Sequence, residues 1–121
     1  MRKFDLEERL INFSVSIIDF IQEIPKSYPG IHLSKQLVRS GTSVSLNYGE
    51  AQASESKKDF IHKMKIVLKE LRETFICLKI LQRTKLYKNN DKINMVYSEC
   101  NELISIFVKS IETVNKNQKL M

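Results

Sequence analysis

The stretch QLVRSGTSVSLNYGEAQ, residues 36–52, runs on after Ala53 into SESKKDFIHKMKIVLKELRETFICLKILQR, residues 54–83. The first half places Leu33, Leu37, Gly41, Val44, Tyr48 and Ala51 on one helical face and surrounds Gly41 with Ser40, Thr42, Ser43 and Ser45. Glycine inside a helix costs about 1 kcal/mol relative to alanine, and these hydroxyl residues are mediocre helix formers. Such a helix has to be held by tertiary contact. Small residues repay this by letting a neighbouring backbone come close, so the spacing predicts an enclosed helix over about 32–52 with its closest approach near Gly41. A phosphate-binding role for the Ser/Thr/Gly cluster lacks the spacing of a P-loop or dinucleotide motif.

The second half repeats Phe60, Met64, Val67, Leu71, Thr74, Leu78 and Leu81 at steps of 4 and 3, the seam of a helix bundle. Ser54 or Ser56 is the expected cap, with Asp59 three residues after Ser56 as in a capping box. The helix is expected over about 57–83. Opposite its seam, Lys58, His62, Lys65, Lys69, Arg72, Lys79 and Arg83 form a second stripe, broken once by Ile76.

Outward from this pair, Leu6, Leu10, Phe13, Ile17, Phe20 and Ile24 predict a first helix from about Asp5 to Ile24, closed by Pro25 because the residue before proline avoids helical geometry. PKSYPGI, residues 25–31, reads as a loop, and so does TKLYKNND, residues 84–91, with Asp91 as the next cap. Ile93, Val96, Cys100, Leu103, Phe107, Ile111 and Val114 predict a last helix from about Lys92 to Val114 or Asn115, followed by a fraying tail. Four such helices with short connections give an all-α, antiparallel up-down-up-down four-helix bundle, one domain over residues 1–121. Ile11, Ile18, Val38, Leu46, Ile76, Ile80, Ile104 and Val108 exceed what one core needs, and apolar surface of that extent marks an interface. A closed homo-oligomer is expected.

The net charge of +6 is uneven: residues 57–88 hold ten basic and three acidic side chains, and the remainder is close to neutral. That field suits polyanions or an acidic protein partner. The stripe carries no aromatic residue, so contact with a nucleic-acid backbone is expected rather than base stacking.

Chemistry for catalysis is not evident. His32 and His62 are the two histidines, neither preceded by the Glu-x-x-His spacing of a di-iron bundle. Both are expected to face solvent. The helix-2 serines lack a neighbouring base, and Glu50 is expected to pair with Arg39 of another helix or subunit. Cys77 and Cys100 fall among apolar residues and read as buried thiols. No metal or cofactor is expected, no apolar run approaches a membrane span, and the start, MRKFDLEERL, lacks a secretory core, so a soluble cytoplasmic protein is expected.

Residues 36–83 resemble the signature of the 23S rRNA intervening-sequence, or S23, protein family. The resemblance rests on Gln36 to Arg39 and Ser40, on Gly41, Thr42 and Ser43, on Asn47, Glu50 and Ala51, then on Asp59 and Phe60, Leu68 to Glu70, and Glu73 with Thr74. Tyr48 and Leu46 depart from it, standing where smaller residues or Ile are common. The resemblance implies a bacterial cytosolic four-helix bundle that assembles as a homopentamer around a central channel, without enzymatic activity. It also implies nucleic-acid binding, as in the similar accessory proteins of diversity-generating retroelements, which also bind a reverse transcriptase. The expected function is a non-catalytic bundle that binds nucleic acid, structured or ribosomal RNA, through the basic helix-3 face. The alternatives are a scaffold recruiting an acidic partner such as a polymerase or ribosomal component, and a small enzyme or metal bundle.

Overall fold

The structure, a computed structural model, describes residues 5–120 as four helices: α1 Asp5–Ile21, α2 Tyr28–Gln52, α3 Lys57–Arg83 and α4 Asn90–Leu120. It is an all-α bundle. α1 packs against α2 and α4, and α3 packs against the same two, so α1 and α3 sit diagonally across the core. Paired residues run in opposite directions. On α2 and α3, Arg39 meets Glu73, Ser40 meets Thr74 and Glu50 meets Lys63. Arg9 with Glu99 and Glu23 with Lys92 do the same for α1 and α4.

The seams read from the sequence form the core. Leu10, Ile17, Phe20, Leu37, Val44, Val67, Leu71, Leu78, Leu81, Leu103 and Phe107 are fully enclosed. Tyr48 crosses to α4, its ring edge-on to Phe107 at 5.8 Å. A larger residue at this signature position is therefore accommodated by reaching over the core, while Leu46 points outward, 68% exposed.

Two connections differ from expectation. α1 ends at Ile21, three residues early. The amides of Glu23 and Ile24 donate to the carbonyls of Phe20 and Ile21 at 3.1 and 3.2 Å, a tightened turn that keeps Ile24 buried ahead of Pro25. α2 begins at Tyr28, so YPGI belongs to the helix. Ser27 caps it, its hydroxyl accepting from the Gly30 amide at 3.2 Å, and Pro29 sits in the first turn, where its missing N–H costs nothing. Gly30 is required there: an added Cβ would lie 1.9 Å from the Pro25 carbonyl oxygen.

α3 matches its expected limits, and Ser56 is its cap, accepting from the Asp59 amide at 3.0 Å. α4 starts earlier than expected. Asn89, not Asp91, caps it, with its side-chain oxygen accepting from the Lys92 amide at 3.1 Å, and the helix continues through the expected tail to Leu120. The loop before it carries core. Tyr87 is buried, its ring 4.6 Å from that of Phe20, and its hydroxyl donates to Glu23 at 3.2 Å.

Of the residues read as surplus, Ile11, Ile18, Leu46, Ile76 and Ile80 are exposed, but Ile104 is buried and Val38 and Val108 are half-buried. α4 is wedged between α1 and α3, and that breadth of contact takes up Ile104. Among the described residues no helix is long and apolar enough to cross a membrane.

Candidate nucleic-acid interface

The length of α3 is what lines up its cations. Held in place by a seam of seven apolar or small residues, the helix turns Lys58, His62, Lys65, Lys69, Arg72 and Arg83 to solvent. Lys79 is half-buried, its ammonium 5.3 Å above the ring of Phe75. Lys58, Lys65, Lys69, Arg72 and Arg83 make no ion pair among the described residues. The cations that do pair lie elsewhere. Arg9 spans Glu99 and Glu102 at 2.8 and 3.0 Å, which raises its pKa, and Lys92 pairs with Glu23.

The signature residues of α2 are packing groups. The added Cβ of an alanine at 41 would stand 3.0 Å from Cγ1 and Cγ2 of Ile17, so α1 and α2 touch through glycine. Ser14 seals that contact, donating to the Gly41 carbonyl at 2.7 Å and lying 2.7 Å from the Ser45 hydroxyl. One residue earlier, the Ser40 hydroxyl lies 2.7 Å from that of Thr74 on α3, both buried. Ser43 accepts through its carbonyl from Asn47 Nδ2 at 2.9 Å, and Phe60 packs half-buried on the core. These residues do not converge on one point.

Arg39 and Glu50 are not partners. Arg39 donates to Glu70 at 3.2 Å and Glu73 at 2.6 Å, and Glu50 accepts from Lys63 at 2.6 Å, which raises the pKa of that lysine. The reason is register. α2 and α3 pass each other with Arg39 level with the 70–73 turn, leaving Glu50 eleven residues further along its own helix.

A groove of about 680 Å³ opens beside this contact. Its floor is Leu33, Leu68, Ile76, Cys77 and Ile80; Lys65, Lys69, Arg72 and Glu73 stand on the α3 side, and His32, Gln36, Arg39 and Ser40 on the α2 side. Sequence reasoning placed the lysines on a line but missed the α2 wall. Only the register of the two helices brings it there, and a helical repeat carries no register signal between helices. Cys77 faces the groove from below, and burial pushes its thiol up to about 11. His32 and His62 are exposed, as expected. Among the described residues no cluster of histidine, cysteine and carboxylate groups could hold a metal ion.

Comparison with known proteins agrees with this architecture. A crystal structure of a protein with unknown function from the S23 ribosomal protein family of Bacteroides thetaiotaomicron is 30% identical, with a TM-score of 0.79. It covers 87% of this chain and 96% of its own. No curated protein matches the chain. The family model described as 23S rRNA-intervening sequence protein matches residues 2–109. The chain therefore belongs to the 23S rRNA-intervening sequence protein family.

Proposed function

We propose that this protein is a non-catalytic, homo-oligomeric helical bundle that binds nucleic acid, structured or ribosomal RNA, through the cationic face of α3. The observation that supports this most is the unpaired row of Lys58, Lys65, Lys69, Arg72 and Arg83. Carboxylates pair with Arg9, Arg39, Lys63 and Lys92, and among the described residues none pairs with the row, Glu73 beside Arg72 being taken up by Arg39. Like charges four residues apart on a helix repel by a few tenths of a kcal/mol per pair, and a polyanion removes that cost. From Lys58 to Arg83 the row spans about 37 Å at 1.5 Å per residue, long enough to meet several phosphates.

Five such contacts set a salt dependence of about four to five in log K against log salt. Filter binding of a structured RNA from low to moderate salt measures it. Replacing Lys65, Lys69 and Arg72 together by Glu is expected to abolish retention, and unchanged binding would remove the proposal. For assembly, the outward strip of Ile11, Val15 and Ile18 on α1, 40, 49 and 39% exposed, is the surface of choice. The family resemblance favours a pentamer. Light scattering of the native protein and of Val15→Lys tests this; a monomeric native protein would refute it.

A second reading, a scaffold that recruits an acidic protein partner, is favoured by the same charge together with exposed Leu46 and Ile31 on α2. A partner retained after nuclease treatment would support it over RNA binding.

A further inference from the structure

We propose that the α2–α3 groove receives an unpaired nucleobase, so that the RNA recognised is a duplex interrupted by a bulge or loop rather than a continuous helix. This rests on the RNA reading of the α3 face and narrows its substrate class.

The observation is an apolar interruption in a cationic track. Ile76 and Ile80 are 52 and 46% exposed between Arg72 and Arg83, with Leu33 and Cys77 beneath them. Contact with an intact A-form RNA duplex is made mostly to phosphate and 2′-hydroxyl groups and gives apolar side chains little to pack on. An extruded nucleotide offers both chemistries at once: a phosphate for Lys65, Lys69 or Arg72, and a flat apolar face for the isoleucines.

The groove runs along about 22 Å of α3, from Lys65 to Ile80, and is open to solvent. No Phe, Tyr or Trp lines the groove, so the plane that stacks on the base comes from the His32 imidazole or from a guanidinium, Arg72 or Arg39. Gln36, whose Oε1 accepts from Arg39 Nε at 3.3 Å, keeps its amide N–H donors for the base edge. Stacking is tolerant of sequence because every base has a flat face, so the groove captures any unpaired base without selecting its identity.

Two RNA hairpins of equal length test this, one fully paired and one carrying a single bulged fluorescent purine, both titrated with the full chain at fixed salt. The native protein is expected to bind the bulged hairpin about tenfold more tightly, the scale of capturing one base, with a change in purine fluorescence. Ile76→Ser with Ile80→Ser, both at exposed positions, is expected to erase the preference while leaving affinity for the paired hairpin unchanged. Lys58→Ala with Arg83→Ala, outside the groove, is expected to weaken both hairpins equally and keep the preference. Equal binding of the two hairpins by the native protein overturns the inference and leaves the proposed function standing. A preference that survives the serine pair overturns it too, as does an oligomeric mass that falls with that pair, which would assign the groove to a second copy. Binding of neither hairpin overturns the proposed function, and the inference with it.

Discussion

Replacing Gly41 by alanine sets two effects of opposite sign against each other. Alanine in the middle of a helix is favoured over glycine by about 1 kcal/mol. At this position the new methyl would stand 3.0 Å from Cγ1 and Cγ2 of Ile17 and 3.2 Å from its Cβ, where carbon atoms settle at about 3.5–4.0 Å. Ile17 is fully buried and has no room to withdraw, so either its rotamer is strained or α1 and α2 separate. Overpacking of this kind costs about 1–3 kcal/mol. Separation would also lengthen the 2.7 Å bond from Ser14 to the Gly41 carbonyl, a buried bond worth about 1 kcal/mol. The net expectation is a loss of about 1–2 kcal/mol, seen as a fall in Tm of several degrees. Gly49→Ala is the control: nothing lies within 4 Å of its added methyl, so it is expected to stabilise by up to about 1 kcal/mol. In an Ile17→Ala background both Cγ atoms are gone and only the 3.2 Å contact with Cβ remains, so Gly41→Ala is expected to cost less there. Urea unfolding of the four proteins closes this cycle. If Gly41→Ala raises stability as Gly49→Ala does, or costs as much in the Ile17→Ala background as in the native protein, close approach is not the reason for glycine at 41.

Arg39→Ala would strand the Glu70 carboxylate, whose residue is only 7% exposed; a cost of about 1–3 kcal/mol is expected in urea unfolding, against less than about 1 kcal/mol for Glu73→Ala on the exposed side of the pair. Asn89→Ala removes the cap of α4 and is expected to cost about 1 kcal/mol, whereas Asp91→Ala should cost only a few tenths through the helix dipole. Burial pushes the thiols of Cys77 and Cys100 up to about 11 and about 12 from an ordinary 9.0. The unfolded chain therefore releases these protons at a pH where the folded one holds them, and their contribution to stability, whole below about 9, is lost as pH rises toward 11 and 12. The urea midpoint should fall between pH 8 and pH 10, and less so in Cys77→Ala with Cys100→Ala; an unaltered slope in that variant would contradict the burial of the thiols.

The helices were legible because their seams are long. Phe60 through Leu81 leaves one way to wind α3, and Ser56 with Asp59 marks its start. The ends were less legible where tertiary contact overrides local signals. Tyr28–Ile31 reads as a turn from its proline and glycine, but the glycine is there to clear the Pro25 carbonyl, and that need exists only once the chain has folded back. Tyr87, in a polar stretch, is drawn into the core by Phe20 and Glu23, residues more than sixty positions away. At the candidate interface the line of cations could be read directly. Its apolar floor and α2 wall could not, because they depend on which turn of α2 faces which turn of α3.

Adjacent residues of α2 grip two different neighbours, Gly41 by shape against Ile17 and Ser40 by a hydroxyl against Thr74. A slip of α3 by one turn, about 5.4 Å, would leave the Ser40 hydroxyl facing a leucine, Leu71 or Leu78, and carry Thr74 away from its partner. No intermediate offset keeps the Ser40–Thr74 contact, so α3 has a single notch against α2 in which to sit. Its lysines therefore act as the graduations of a ruler whose zero is set by Ser40, and a ligand that spans both helices meets the same separations in every copy of the molecule.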